Sequence, residues 1–172
     1  MTNESICKIF VPYGALGTGI SEESFQNGIA LGPDAIVCDA GSTDSGPYYL
    51  GTGKCKYAKD ALKEDFSRMI IAGIQLGVPV MIGSAGTCGT NSGVDMMFDI
   101  CKEICQENGI NAKIALIYCS QDKDVLKKKY LENKINPLSG APEINEMVFD
   151  QCTNIVGLAG AQPFIEALQL GA

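Results

Sequence analysis

Apolar residues along this chain follow two rhythms. Short, mainly apolar runs at 7–11, 35–38, 78–82, 112–118 and 154–158 read as strands, the one at 35–38 continuous and buried on both faces. Between them, apolar residues recur every three or four positions. Ala61, Leu62, Phe66, Met69, Ile70, Gly73 and Ile74 form one side of a helix over 58–76. Met97, Ile100, Cys101, Ile104 and Cys105 do the same over 94–108, and Leu126 and Tyr130 face inward from a helix over 123–133. Further helices are expected from the Ser21 cap to Gly32-Pro33, over 143–152, and from about Pro163 onward. Glu22 and Glu23 complement the dipole of the first helix, and Gly77 closes the one before the third strand.

Five apolar strands alternating with helices predict an α/β fold, a three-layer doubly wound domain with a mainly parallel sheet of about five strands. The glycine-rich and polar segments at 13–19, 39–53, 83–93, 119–122 and 159–163 all follow strands, so they gather on one edge of the sheet. A length of 172 residues suits a single domain over 1–172.

Composition removes several function classes. The formal charge of -7 argues against nucleic acid and anionic membrane surfaces as partners. The one basic cluster, Lys127-Lys128-Lys129, follows Asp122 and Asp124 and reads as a solvated helix face. No apolar run reaches the length of a membrane span and the opening residues lack a signal pattern, so a cytoplasmic location is expected. The 8 cysteines show no C-x-x-C spacing and read as reduced thiols; Cys101 and Cys105, four apart, suit a core stripe better than a metal. Histidine is absent, which excludes a Ser-His-Asp triad and the usual zinc sites within the chain.

The candidate chemistry centres on 34–53. Asp39 ends the second strand and Asp44 follows five residues later. Two readings stay open: a pair holding a divalent cation such as Mg²⁺, or a general acid and base with separated pKa values. Against both stands an Asx turn serving the loop backbone. Tyr48 and Tyr49, in an extended segment, would point opposite ways, and Tyr48 is taken as the catalytic partner. The loop at 83–93 precedes a helix and is rich in small residues, which suits an anion, yet it lacks the Gly-Lys-Ser/Thr of a Walker loop. Gly14, Ser42, Thr43, Ser84, Gly86, Thr87, Asn91, Ser120 and Gln162 are the expected ligand-binding residues. The spacing of Gly14, Gly17 and Gly19 is not that of a dinucleotide fingerprint. Cys88, in the polar loop near a helix start, is the one cysteine considered as a nucleophile. The segment 134–142 is a loop placed to cover the site.

Laid side by side, three stretches resemble a known family: Asp39-Ala-Gly-Ser-Thr-Asp44 continuing through Gly46-Pro47-Tyr48-Tyr49 to Gly53, then Ile82-Gly83-Ser84-Ala85-Gly86, and the end from Gly157 to Ala172. They are similar to the amino-terminal part of AtuA-like proteins, the acyclic terpene utilisation family. The resemblance implies a catabolic role and, since family members are longer, that the chain corresponds to an amino-terminal part of a larger architecture. It carries over no catalytic residue. The expected function is that of a catabolic enzyme domain binding a small carboxylate or acyl-thioester metabolite. The alternative is a non-catalytic binding or scaffolding subunit that works only with a partner chain. Phe164, Ile165, Leu168 and Leu170 leave an apolar tail, from which a homo-oligomer is expected.

Overall fold

The structure is a computed structural model that describes residues 7–41 and 47–172. Three short strands, β1 (Ile9–Phe10), β2 (Ala35–Asp39) and β3 (Val80–Gly83), form a parallel sheet in the order β1-β2-β3. The register puts Phe10, Ile36 and Val80 in one row and Cys38 beside Ile82 in the next. Side chains alternate between faces along a strand, so these five share a face, with Ile36 and Cys38 in the main hydrophobic cluster and Phe10, Val80 and Ile82 packed against it. On the other face Ile9 is 52 % exposed, and Val37 and Met81 are half-buried.

Helices supply the rest of the core. α1 (Glu22–Ala30) is capped as expected, the Ser21 hydroxyl accepting from the Ser24 amide, and it buries Phe25 between Phe10 and Tyr13. Gly28 lets α1 lie flat on β1, because a Cβ there would stand 2.2 Å from the Phe10 ring. α2 (Pro47–Thr52) follows β2; α3 (Lys59–Leu76) buries Leu62, Phe66, Met69 and Ile70 and ends at Gly77 in the left-handed conformation. α4 (Asn91–Asn108) packs against α3 through Met97, Ile100, Cys101 and Ile104. The two helices are also joined at the surface by Lys59 and Lys63 pairing with Glu103 and Glu107.

The last third is looser. α5 (Lys123–Leu131) and α6 (Glu146–Gln151) pack on each other, with Tyr130 against Phe149 at 5.5 Å and the Tyr130 hydroxyl donating to Ile144 O. α7 (Gln162–Gln169) begins with Pro163 in its first turn, as the sequence predicts. Ladder pairing is confined to the three strands among the described residues, save one antiparallel bridge between Ser120 and Val156. The runs 112–118 and 154–158 therefore lie outside the sheet, and the architecture that is seen is a mixed α and β one with a small parallel sheet.

Two local expectations are corrected. Tyr48 and Tyr49 sit in α2 rather than in an extended segment, so their rings meet edge to face at 5.3 Å instead of pointing apart. α4 starts at Asn91, three residues before Val94, because the Thr90 hydroxyl caps it by accepting from the Gly93 amide at 3.2 Å.

Candidate functional site

The loops after β1, β2 and β3 meet at one edge, and backbone contacts lock them together. Leu16 N donates to Asp39 O at 2.8 Å, and Ala40 N donates to Gly83 O at 2.9 Å. Gly41 lies flat on the third loop: a Cβ there would stand 2.4 Å from Thr87 O and 2.7 Å from the Ser84 Cβ. The predicted groups at 39–41 and 84–87 are therefore neighbours.

Asp39 is exposed, and its Oδ1 accepts from the Gly41 amide at 2.8 Å in an Asx turn. Asp44, Ser42 and Thr43 lie outside the described residues. Tyr48 is exposed on α2, and Gly14 is an exposed turn residue with open space around it. Gln162 starts α7, where its side-chain amide donates to Glu166.

The loop over 84–90 carries backbone strain. Ser84 and Thr87 take φ values of 46° and 83°, in the left-handed region that favours glycine, alongside Gly86 and Gly89. Two contacts impose this path. Gly86 presses on the first turn of α4, where a Cβ would meet Gly93 Cα at 2.6 Å. Thr87 is buried, and its hydroxyl accepts from Lys56 N at 2.9 Å beside the Cys55 thiol at 3.4 Å. Strain of this kind gathers at ligand clamps and active sites.

Three of the amide donors in and just after this loop are engaged by the protein itself. Gly89 N donates to Ala85 O, Gly93 N to Thr90 Oγ1, and Asn91 N to Ser120 Oγ at 3.0 Å. Asn91 and Ser120 form a reciprocal clamp, since Ser120 N donates back to Asn91 Oδ1 at 3.0 Å. Together with the Tyr118 hydroxyl donating to Asp95 at 2.6 Å, this clamp ties the end of the 112–118 run to α4. Cys88 is half-buried, its thiol near Thr90 Oγ1 at 3.6 Å.

Asp65 was not among the expected site residues. It is 3 % exposed on the inward face of α3, and its Oδ2 accepts from Gly17 N at 2.8 Å and Gly19 N at 3.0 Å. The Tyr13 hydroxyl donates to Asp65 O at 3.4 Å, and Arg68 on the next turn donates to Ile20 O at 3.1 Å. Burial, and then the Asp65 charge, push the Tyr13 hydroxyl well above its ordinary pKa. Burial, followed by the charges of Asp39 and Asp65, pushes the Cys38 thiol up to about 12, so it stays protonated. The sequence signal for Asp65 was its place between Leu62 and Met69 on an otherwise apolar stripe.

Two cavities lie away from these loops. One, of about 300 Å³, is bounded by Cys7 to Phe10 together with Gly28, Leu31 and Pro33. The other, of about 410 Å³, lies between the end of α4 and the chain that leaves it. Among the described residues no three Cys, Asp or Glu side chains converge on a point that a metal ion would occupy. No helix among them is long and apolar enough to cross a membrane. No family model matches the chain, and neither a curated protein nor a solved structure does.

Proposed function

We propose that the chain is a catabolic enzyme domain, AtuA-like in kind, that takes a small carboxylate or acyl thioester at the carboxyl ends of its strands. The observation that carries this reading is the strained turn Ser84 to Thr87, packed by backbone contact against the loop that presents the exposed Asp39 carboxylate. Strained backbone beside an exposed acid, at the strand ends of a parallel sheet, is a usual setting for ligand chemistry. In this reading Asp39 acts with Asp44 and Tyr48, through Mg²⁺ or through proton transfer. Ser84, Gly86 and Thr87 then line the ligand from the other loop. The protein works in the cytoplasm.

Calorimetric titration of the whole chain with acetate and with acetyl-coenzyme A, each with and without Mg²⁺, tests this. Saturable binding that Asp39→Asn abolishes, with the far-ultraviolet circular dichroism unchanged, is the expected result. Binding that survives Asp39→Asn, or none by the folded protein, overturns it.

A second reading, a subunit that functions with a partner chain or a second copy, rests on uncovered apolar surface. Ile165, Leu168 and Leu170 on and after α7 are 45, 41 and 71 % exposed, and the apolar run 112–118 lies outside the sheet. In this reading association brings 112–118 and 154–158 into a five-stranded, three-layer arrangement. Light scattering that gives a monomer at high concentration sinks the second-copy form of it.

A further inference from the structure

A carboxylate ligand at the strand ends needs a positive partner, because the exposed Asp39 carboxylate repels it. The segments 13–19, 39–41, 53–57 and 84–90 meet at this edge, and the cationic side chains among them are Lys54 and Lys56. Arg68 reaches the end of the first loop at Ile20 O, but Glu64 holds its guanidinium at 3.0 Å. Resting on the function proposed above, we infer that Lys56 is the residue that selects an anionic ligand there, its ammonium taking the ligand's carboxylate.

Packing places Lys56. Cys55 and Tyr57 on either side of it are half-buried against the core, and Lys56 is exposed between them. Its backbone nitrogen donates to Thr87 Oγ1 at 2.9 Å, which fixes residue 56 against the strained loop. Thr87 O in turn lies 2.4 Å from where a Gly41 Cβ would stand, so the loop carrying Asp39 is the next neighbour. The Lys56 ammonium lies 5.7 Å from the centre of the Tyr57 ring. Tyr57 packs on Gly17, where a Cβ would stand 3.0 Å from the Tyr57 Cβ, and Leu16 beside it donates to Asp39 O. Residues 56 and 57 thus bridge the loops after β1 and β3, and the Asp39 loop touches both.

The chemistry of the side chain suits the task. A lysine ammonium is a compact point charge with three donors on a flexible stem, so it can meet a carboxylate oxygen that approaches from solvent. The electron-rich face of Tyr57 attracts the ammonium and narrows the range its stem explores. Lys54, two residues earlier, is held differently. Its nitrogen donates to Thr52 Oγ1 at 3.4 Å, so it belongs to the turn that ends α2 and not to the strained loop. With the same charge and nearly the same place in the chain, it is the control for Lys56.

The test is calorimetric titration of the full chain with acetate, with neutral acetamide and with acetyl-coenzyme A, at fixed Mg²⁺ and low salt. The wild type should bind acetate saturably, and Lys56→Gln should weaken that binding about tenfold or more, as expected for loss of a charge-assisted hydrogen bond. Lys54→Gln should match the wild type. Acetamide should give the same heats with the wild type and Lys56→Gln, since it carries no charge for the ammonium to read. The substitution leaves the backbone nitrogen that Thr87 uses, and near-ultraviolet circular dichroism checks the fold; Lys56→Met is the second variant should Lys56→Gln fold poorly. A folded Lys56 variant that binds acetate as tightly as the wild type overturns the inference and leaves the proposed function standing. Equal weakening by Lys54→Gln reduces the effect to net charge and overturns it too. A wild type that binds acetyl-coenzyme A but not acetate sinks the carboxylate selection alone, and one that binds neither sinks the proposed function with it.

Discussion

The Asp65 carboxylate on α3 lies 2.8 Å from the backbone nitrogen of Gly17, so a buried charge on an apolar helix face holds the loop that follows β1. The same oxygen accepts from Gly19, and Leu16 between them and β1 donates to Asp39 O. Asp65 thus fixes the backbone from which Asp39 projects. Truncating the side chain strands two amides that had a charged acceptor. Asp65→Ala should cost about 3 kcal/mol in urea unfolding, and Asp65→Asn, which keeps an oxygen in place, clearly less. Equal losses for the two variants would show that the amides find other partners.

Asp65 also marks what the sequence does and does not disclose. The caps at Ser21, Gly77 and Pro163 and the apolar runs of β1 to β3 were legible because each is a local signal. The partners of the buried Asp65 carboxylate are 46 and 48 residues away, so no window along the chain contains them. Likewise the strain at Thr87 comes from packing on Gly41 and Lys56, which sequence spacing does not reveal. The runs 112–118 and 154–158 have strand composition, but pairing is a tertiary event, and among the described residues their neighbourhood shows a single bridge, between Ser120 and Val156. Asp39 shows the limit for the site, since its position at a strand end serves both the catalytic and the Asx-turn reading, and the Gly41 contact engages one carboxylate oxygen, which fits either.

Alkaline pH should destabilise the fold well before lysines titrate. Tyr13 and the thiols of Cys38 and Cys101 all have raised pKa values, the two thiols at about 12. The folded state therefore holds these protons more tightly than the unfolded chain. Their contribution is complete below the unfolded values of about 8.5 for Cys and 10 for Tyr, and is lost as pH climbs toward the folded values. Each titrating group tilts stability by up to about 1.4 kcal/mol per pH unit. Urea midpoints should be level from pH 7 to 8 and fall from about pH 9, with a shallower fall for Cys38→Ala. A level profile to pH 10.5 would contradict the burial of these groups.

The Asn91 and Ser120 clamp ought to behave as one unit. Each residue gives the other one side-chain to backbone hydrogen bond, so either truncation removes one bond directly and loosens the register that the other needs. Asn91→Ala and Ser120→Ala should each cost about 1 kcal/mol, and the double variant little more than either. Hydrogen exchange should quicken at Ser120 and Gln121 in both single variants, since Gln121 N donates to Ile155 O in the adjoining bridge. Strictly additive losses would mean the two residues act separately.

Thr87 offers a direct measure of strain at the strand ends. Its φ of 83° is unfavourable for a β-branched residue, while its hydroxyl is needed by Lys56 N. Thr87→Ala and Thr87→Gly both remove the hydroxyl, and only glycine relieves the left-handed backbone. Glycine ordinarily destabilises a fixed backbone relative to alanine through its greater freedom in the unfolded chain. Here the left-handed penalty, about 1–2 kcal/mol for a residue with a Cβ, outweighs that term. Both variants should therefore be less stable than the wild type, with Thr87→Gly the better of the two by about 1 kcal/mol in urea unfolding. Thr87→Ala proving the more stable variant would mean that the turn relaxes once the hydroxyl is gone, and that the strain is not imposed by Gly41 and Gly93.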